Sequence, residues 1–241
     1  MARLYLFVEG QTEQTFANEL LAPHLANHQV YLQPAVLIAH ARRKGRVHRG
    51  GGRRYIPMRD DIVRFTKQEQ GADVFFSTMI DLYALASDFP GLAPSQAVRH
   101  DPYQRVEFLE QAWRADVPDR RFLPFIALHE YEAYLFCKPE ELELFYPNSR
   151  QQLTRLKAIT QSHTSPELID DGPRTAPSKR LIAEFPDYEF SKTAIGPQVA
   201  ELIGLETIRS LCPHFHRWLR RLESLGGQPA PDHIPPTGEA S

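Results

Sequence analysis

The amino-acid sequence predicts an α/β fold, in which a mostly parallel sheet is flanked by helices and followed by a helical C-terminal extension. Short apolar runs of strand type recur at residues 4–8, 74–80 and 122–128, and segments rich in helix formers lie between them. Alternating strands and helices are typical of parallel sheets. The chain of 241 residues is long enough for one such domain with an appendage.

Changes in composition along the chain predict its organisation. Residues 1–138 are expected to form the α/β core, and residues 139–225 a helical part packed on that core. Residues 226–241 are rich in Gly and Pro, which predicts a disordered tail.

The remaining elements are predicted from local periodicity and from Pro and Gly. Residues 31–38 read as a second strand, in which a central proline indicates an edge position or an interruption. Residues 57–69 and 100–114 have amphipathic helical patterns. In the C-terminal part, Gly and Pro at 196–197 are expected to open a helix through residue 203, and residues 206–225 to form the last helix.

Composition excludes some functional classes. The net charge of −2 gives no global attraction for nucleic acid, so any such interaction depends on local charge. Cys137 and Cys212 are far apart in the sequence and lack metal-ligand spacing, which predicts reduced thiols in a cytoplasmic protein. We find no signal peptide at the N-terminus and no apolar run long enough to span a membrane.

Acidic residues follow two of the predicted strands. Glu9 ends the first strand, Glu13 lies in the first turn of the next helix, and Asp81 ends the run at residues 74–80. Parallel sheets bind ligands at the carboxyl ends of their strands, so these carboxylates are candidates to share a divalent cation. As an alternative, Glu13 would only complement the helix dipole, and Glu9 would cap an amide or pair with an arginine.

A third strand end and the loop after Asp81 extend this group. Glu130 and Glu132 follow the run at residues 122–128 and are candidates for ligands, a general base or orienting groups. Their alternative role is to favour the dipole of a starting helix. Asp88 is near enough in sequence to reach the same place, or it is an ordinary turn residue before Phe-Pro-Gly.

A glycine-rich basic segment follows the second strand. Arginine forks suit phosphate, and glycines allow close backbone approach, so we expect the segment to bind a nucleic-acid backbone. A solvated loop without special role is the alternative. The candidate nucleic-acid-binding residues are Arg42, Arg43, Lys44, Arg46, Arg49, Arg53 and Arg54.

Taken together, these motifs resemble the family of unknown function DUF4276, which belongs with the Toprim-like proteins. The resemblance runs from residue 4 to about residue 223 and includes Cys-Pro-His-Phe at 212–215 with Trp218. The other matching segments are Val-Glu-Gly-Gln-Thr-Glu at 8–13, Gly-Gly-Gly-Arg-Arg-Tyr at 50–55, Thr-Met-Ile-Asp-Leu-Tyr at 78–83, Asp-Phe-Pro-Gly at 88–91, His-Glu-Tyr-Glu-Ala at 129–133 and Pro-Ser-Lys-Arg-Leu at 177–181.

The resemblance implies magnesium-dependent phosphoryl transfer, as in topoisomerases, primases and nucleases of the overcoming-lysogenization-defect (OLD) type. It makes Glu9 the Toprim glutamate, Asp81 the first Toprim aspartate, and Glu13 similar to the additional acidic residue of the OLD-type nucleases. Tyr83 stands where the second aspartate is expected. The second ligand would therefore be Asp88, Glu130 or Glu132, or it would be absent.

The sequence thus predicts an Mg²⁺- or Mn²⁺-dependent nuclease acting on DNA, with tRNA as the second candidate substrate. Glu9, Glu13, Asp81 and Glu130 are the predicted catalytic residues, and Asp88 and Glu132 join Glu9, Glu13 and Asp81 as predicted metal ligands. The resemblance also implies an anti-phage defence system with a partner ATPase of the AAA or ABC type. This chain has no phosphate-binding loop motif, so it would not supply that ATPase itself. The alternatives are a non-catalytic subunit that binds nucleic acid or regulates that ATPase, and a nucleotide phosphatase with a closed pocket.

Overall fold

A computed structural model of the chain describes residues 1–38, 54–169, 172 and 174–227. These residues form an α/β fold with a parallel sheet of six strands, helices against the sheet, and a helical C-terminal region. The predicted fold class is confirmed. No helix within the described ranges combines the length and the apolar character that crossing a bilayer requires.

The first strand lies at the centre of the sheet, whose hydrogen-bonded order is β2-β1-β4-β5. Two short strands, β2 and β3, pair in parallel with one edge of β1, and β4 pairs with its other edge. The last two strands, β5 and β6, both pair with β4. The strands are β1 Ala2–Val8, β2 Val30–Leu32, β3 Val36–Leu37, β4 Val74–Asp81, β5 Phe122–Leu123 and β6 Ile126–Ala127. Pro34 lies in the gap between β2 and β3, where the sequence allowed an interruption.

Both faces of the sheet are covered, which explains why its strands are almost continuously apolar. Side chains alternate along β1: Leu4 and Leu6 enter one apolar core, and Phe7 enters the core on the opposite face. The first core contains the helices that follow β1 and the C-terminal helices, including Phe215. The second contains the helices before and after β4, including Trp113.

Helices account for most of the remaining described residues. A π-helical turn, Ala17–Leu21, joins the first two helices and precedes Pro23, which has no amide hydrogen for a regular helical bond. The helices are α1 Gln11–Phe16, α2 Ala22–Ala26, α3 Tyr55–Gln68, α4 Pro102–Asp116, α5 Arg150–Gln161, α6 Pro177–Glu184, α7 Tyr188–Ile203, α8 Leu205–Leu211 and α9 Pro213–Glu223.

The connections change face between β1 and β4. Helices α1 and α2 lead from β1 to β2 across the first face, whereas α4 leads from β4 to β5 across the second. Open α/β sheets bind ligands at the carboxyl ends of two strands whose connections leave on opposite faces. The carboxyl ends of β1 and β4 are therefore the expected ligand position of this fold.

The structure corrects two predicted helices. Gly196 and Pro197 do not open a helix; both are buried inside α7, which begins at Tyr188. Close packing of Gly196 against Thr12 and Tyr131 holds this segment in place despite the helix-breaking tendency of proline. The last predicted helix is two helices, α8 and α9, because Pro213 cannot continue a helix but suits the first position of a new one.

The C-terminal helices belong to the same apolar core as β1. The indole of Trp218 also donates to Ser77 Oγ of β4 over 2.9 Å, which links α9 directly to the sheet. Gly226 closes a short 3₁₀ turn, and residues 228–241 of the predicted tail lie outside the described residues. Cys137 and Cys212, distant in sequence, are unpaired thiols whose sulfur atoms are 3.5 Å apart.

Candidate active site

The carboxyl ends of β1, β4 and β6 meet at one edge of the sheet. Val8 is in register with Met79, and Asp81 is in register with Ala127. The acidic residues that end or follow these strands therefore converge at the carboxyl ends of β1 and β4. We call this group the acidic edge; its members are Glu9, Glu13, Asp81, Glu130 and Glu132.

Glu9 and Glu13 both turn toward the end of β4. The backbone amide of Asp81 donates to Glu9 Oε2 over 3.3 Å. Glu13 Oε2 would lie only 2.8 Å from a Cβ atom at Gly10, so a larger residue there would displace the carboxylate. Gly10 therefore permits the buried Glu13 to fold back against the strand end.

Burial and mutual repulsion govern the protonation of Asp81. Burial raises the pKa of Asp81 well above its usual value, and the charges of Glu9, Glu13, Glu132 and Glu130 raise it further. All five members of the acidic edge are therefore close enough to influence one carboxyl group. Adjacent like charges of this kind disfavour full ionisation unless a cation compensates them.

Glu132 and Glu13 respond in the same direction. Burial and the charge of Glu130 raise the pKa of Glu132 to about 7. Burial also raises the pKa of Glu13, with a further contribution from Glu9. The charge of Lys192, an exposed residue of α7, opposes both shifts. Sequence reasoning missed this lysine, because no local pattern indicates that α7 packs beside the end of β1.

Glu130 also accepts two hydrogen bonds from the C-terminal region. Its Oε2 accepts from the backbone amide of Ser178 over 2.8 Å, and its Oε1 accepts from the Ser178 hydroxyl over 2.9 Å. Ser178 lies in the first turn of α6, so Glu130 ties the end of the sheet to the C-terminal region. Because both carboxylate oxygens already accept hydrogen bonds, Glu130 is better placed to orient its neighbours than to take a proton from a substrate.

Asp88 lies outside the acidic edge. Its Oδ1 accepts from the backbone amide of Tyr55, the first residue of α3, over 2.9 Å. This position supports helix capping and gives no support to the predicted role of Asp88 as a metal ligand.

The predicted basic segment lies largely outside the described residues, which exclude Arg42, Arg43, Lys44, Arg46, Arg49 and Arg53. Its flanks are described. Before the segment, the amide of Ile38 donates to Val8 O over 3.0 Å, next to Glu9. After it, the exposed Arg54 precedes α3, whose first amide is held by Asp88. The first flank thus lies beside the carboxyl end of β1, and the second leads directly into α3.

The donor set of the acidic edge suits a hard divalent cation. Carboxylate oxygens are the ligands that Mg²⁺ and Mn²⁺ prefer, and a cation would offset the repulsion that raises the pKa of Asp81. Its oxygens are not gathered as tightly as a closed metal site. Among the described residues, one group of three potential ligands has all donor atoms within 4.8 Å, and it lies elsewhere, at His24, His28 and Glu223.

The fold and the site define this chain as an open parallel α/β protein with carboxylates clustered at a topological switch point. The particular family follows from a family model, described as "Domain of unknown function (DUF4276)", that matches residues 8–223. The chain belongs to this family, as its motifs predicted. No curated protein and no solved structure matches it.

Proposed function

We propose that this protein is a divalent-metal-dependent nuclease that hydrolyses phosphodiester bonds. The observation that carries the proposal is the convergence of carboxylates from three adjacent strand ends, with the pKa of Asp81 raised by burial and by its acidic neighbours. Strongly perturbed groups in a cleft are typical of catalytic sites. The Toprim-like resemblance of the motifs points to the same chemistry.

Glu9, Glu13, Asp81 and Glu132 are the residues that would hold Mg²⁺ or Mn²⁺. A bound divalent ion supplies an activated water and stabilises negative charge on phosphate oxygens. Glu130 keeps its place by accepting from Ser178, and its charge raises the pKa of both Tyr83 and Asp81. Tyr83, which replaces the second Toprim aspartate, is half exposed beside Glu130 and adds a phenol to the acidic edge.

Two basic elements would bring the phosphate backbone to the acidic edge. Lys192 is exposed and its charge reaches Glu13 and Glu132. The basic segment from Arg42 to Arg54 follows Ile38, whose amide donates to Val8 O at the end of β1, and directly precedes α3. Contacts of this kind hold the backbone without reading its sequence, so DNA is the first candidate substrate and tRNA the second.

The same resemblance suggests a biological setting. We place the protein as the effector subunit of an anti-phage defence system, working with an AAA- or ABC-type ATPase. The partner would supply nucleotide-dependent control, since this chain contains no Gly-Lys-Ser/Thr phosphate loop.

A cleavage assay with matched variants tests the nuclease. Plasmid DNA and total tRNA are incubated with Mg²⁺ or Mn²⁺, with and without the ATPase encoded nearby. Asp81→Asn should lower metal-dependent cleavage by more than about 100-fold. Loss of an outer partner of a metal ligand costs up to about 100-fold, and loss of a direct ligand should cost more. Asp88→Asn is the control: its amide oxygen can still accept from Tyr55, and activity should persist.

Equal loss of activity in both variants would point to a folding defect, and equal retention would place the chemistry elsewhere. Wild-type protein that is folded and inactive under all these conditions would favour the second candidate, a non-catalytic subunit that binds nucleic acid or regulates the ATPase. That candidate is favoured by one observation: Glu130 already uses both oxygens on Ser178, leaving fewer free carboxylates for a second ion.

A further inference from the structure

A second group of ligand-type side chains lies outside the acidic edge and shares no residue with it. His24 Nε2, His28 Nε2 and Glu223 Oε1 come from the first and last parts of the described chain, and their donor atoms all lie within 4.8 Å of one another. From this geometry we infer that His24, His28 and Glu223 form a binding site for a transition-metal ion of the Zn²⁺ class. We call this group the two-histidine site.

The backbone explains why these three side chains meet. His24 lies in α2, and His28 follows four residues later in the turn after that helix, so both imidazoles project on the same side. Glu223 is the last residue of α9. Two nitrogens and one carboxylate oxygen are a donor set found in zinc sites that keep a fourth position for water.

Two backbone contacts hold the ligand-bearing segments together before any ion binds. The 3₁₀ turn that follows Glu223 packs so closely on the loop after α2 that a Cβ atom at Gly226 would lie 1.8 Å from the carbonyl oxygen of His28. The next residue, Gln29, accepts from the amide of Ala2 at the start of β1 over 2.8 Å. The site is therefore built on fixed elements and requires little ordering.

The distances between donor atoms are close to those of a tetrahedral site. Two ligands that each lie about 2.0–2.1 Å from a tetrahedral ion are about 3.3 Å apart. His24 Nε2 and Glu223 Oε1 are 2.7 Å apart, and His28 Nε2 and Glu223 Oε1 are 3.9 Å apart. Side-chain shifts below about 1 Å would open the first distance and close the second.

Arg209 orients the carboxylate of Glu223 and would also compete with the ion for its oxygens. Its guanidinium donates to Glu223 Oε1 over 2.8 Å and to Oε2 over 3.2 Å, which fixes the orientation of the carboxylate. Outer hydrogen bonds of this kind commonly orient metal ligands. A bound ion would replace the hydrogen between His24 Nε2 and Glu223 Oε1, which would leave to solvent or return to His24 at Nδ1, while Oε2 would keep its bond to Arg209.

Solvent has access to the two imidazoles. The side chains of His24 and His28 are 20% and 22% exposed, whereas that of Glu223 is 1% exposed. An ion can therefore enter past the histidines and reach an otherwise buried carboxylate. Imidazole nitrogens also favour Zn²⁺, Co²⁺ or Ni²⁺ over Mg²⁺, which separates this site chemically from the acidic edge.

Metal titration of the full chain, freed of any affinity tag and of bound metal, tests the site. Co²⁺ is added and its visible absorption is followed, and Zn²⁺ is then used to displace it. The wild type should bind one equivalent with the intense absorption of a tetrahedral or five-coordinate ion. His28→Gln should weaken binding by at least about tenfold. This variant keeps the close contacts of Glu223 to His24 and Arg209, so it should remain folded.

Two controls make the result specific. His100→Gln changes an exposed histidine outside the site and should bind Co²⁺ as the wild type does. Asp81→Asn alters the acidic edge and should also leave the Co²⁺ signal unchanged. Absence of stoichiometric binding in folded wild type, or equal binding by wild type and a His24→Gln/His28→Gln double variant, would overturn the proposal and leave an ion pair only.

Discussion

The acidic edge and the two-histidine site both bury carboxylates, and they do so in opposite surroundings. Glu223 is 1% exposed, and Arg209 and His24 donate hydrogen bonds to its oxygens. Asp81 and Glu132 are instead surrounded by other carboxylates, with the exposed Lys192 as the cation whose charge opposes the shift of Glu132. The buried Glu223 thus has its charge satisfied, whereas the buried Glu132 and the half-buried Asp81 face repulsion.

The pKa shifts express this difference. Burial raises the pKa of Glu223, but hydrogen bonds from His24 and Arg209 outweigh it, and the pKa lies below the usual value. At the acidic edge, burial and neighbouring charges act in the same direction, and the pKa of Asp81 rises. A carboxylate satisfied by the protein stabilises the fold. Carboxylates left in repulsion destabilise it and are suited to a ligand that the protein itself does not provide.

The largest expected effect comes from removing the charge of Glu223, the carboxylate whose hydrogen bonds the protein satisfies. In the presence of a chelator, Glu223→Gln should lower the free energy of unfolding by about 3 kcal/mol, because it leaves the largely buried Arg209 without its counter-charge. Urea unfolding measures the change. Glu206→Gln is the control: this residue also contacts Arg209 but is 80% exposed, so its loss should cost less than about 0.5 kcal/mol. Equal losses in the two variants would contradict the comparison.

A change of pH should affect the acidic edge next most strongly. The pKa of Glu132 is about 7, against 4.5 for an ordinary glutamate, so the folded state holds this proton up to a higher pH than the unfolded state does. Stability therefore falls as pH rises from about 4.5 to about 7. Between pH 5.5 and pH 8, without divalent metal, the loss from this group should be about 2 kcal/mol.

Urea unfolding at the two pH values measures this loss, and Glu132→Gln is the matched variant. It removes one titrating group and should reduce the dependence on pH, while Asp81 and Glu13, whose pKa values are also raised, keep the remainder. Saturating Mg²⁺ should reduce the loss in the wild type, because an ion that binds the folded state stabilises it most when the carboxylates are charged. A wild type that becomes more stable toward pH 8 without metal would show that the carboxylates are compensated.

The smallest expected effect has the opposite sign from the first. Without metal, Asp81→Asn should raise the free energy of unfolding by about 1 kcal/mol, because folding disfavours the ionised form that Asp81 adopts freely in the unfolded chain, and asparagine removes this cost. Thermal unfolding also tests the ligand: Mg²⁺ should raise the Tm of the wild type and leave that of Asp81→Asn nearly unchanged. Asp88→Asn, which retains an acceptor for Tyr55, should respond to Mg²⁺ as the wild type does. A destabilised Asp81→Asn would mean that Asp81 has a structural partner.

The sequence predicted the sheet and the strand-end carboxylates because both follow from short-range patterns. Apolar runs identify β1 and β4, and the residue after each run lies at the carboxyl edge of any parallel sheet. Helix boundaries were predicted less well. Pro197 lies inside α7, since packing of Gly196 against Thr12 and Tyr131 holds the helix where local propensity would end it.

Local pattern also failed to assign partners to acidic residues. The sequence left several roles open for Asp88 and Glu130, whereas the fold gives Asp88 the first amide of α3 and gives Glu130 both donors of Ser178. Neither partner is near in sequence, and a carboxylate binds whichever donor the packing brings within about 3 Å. The placement of Lys192 beside the acidic edge depends on the packing of α7 in the same way.

By itself, then, the sequence determined the family, the parallel sheet, and the carboxylates that converge at the edge of that sheet. Only the tertiary structure decided which carboxylates are satisfied by the protein, and only it brought His24 and His28 to Glu223, near the other end of the described chain. The physical reason is one of range. Strand periodicity depends on neighbouring residues, whereas the partner of a buried charge depends on packing between elements far apart in the chain.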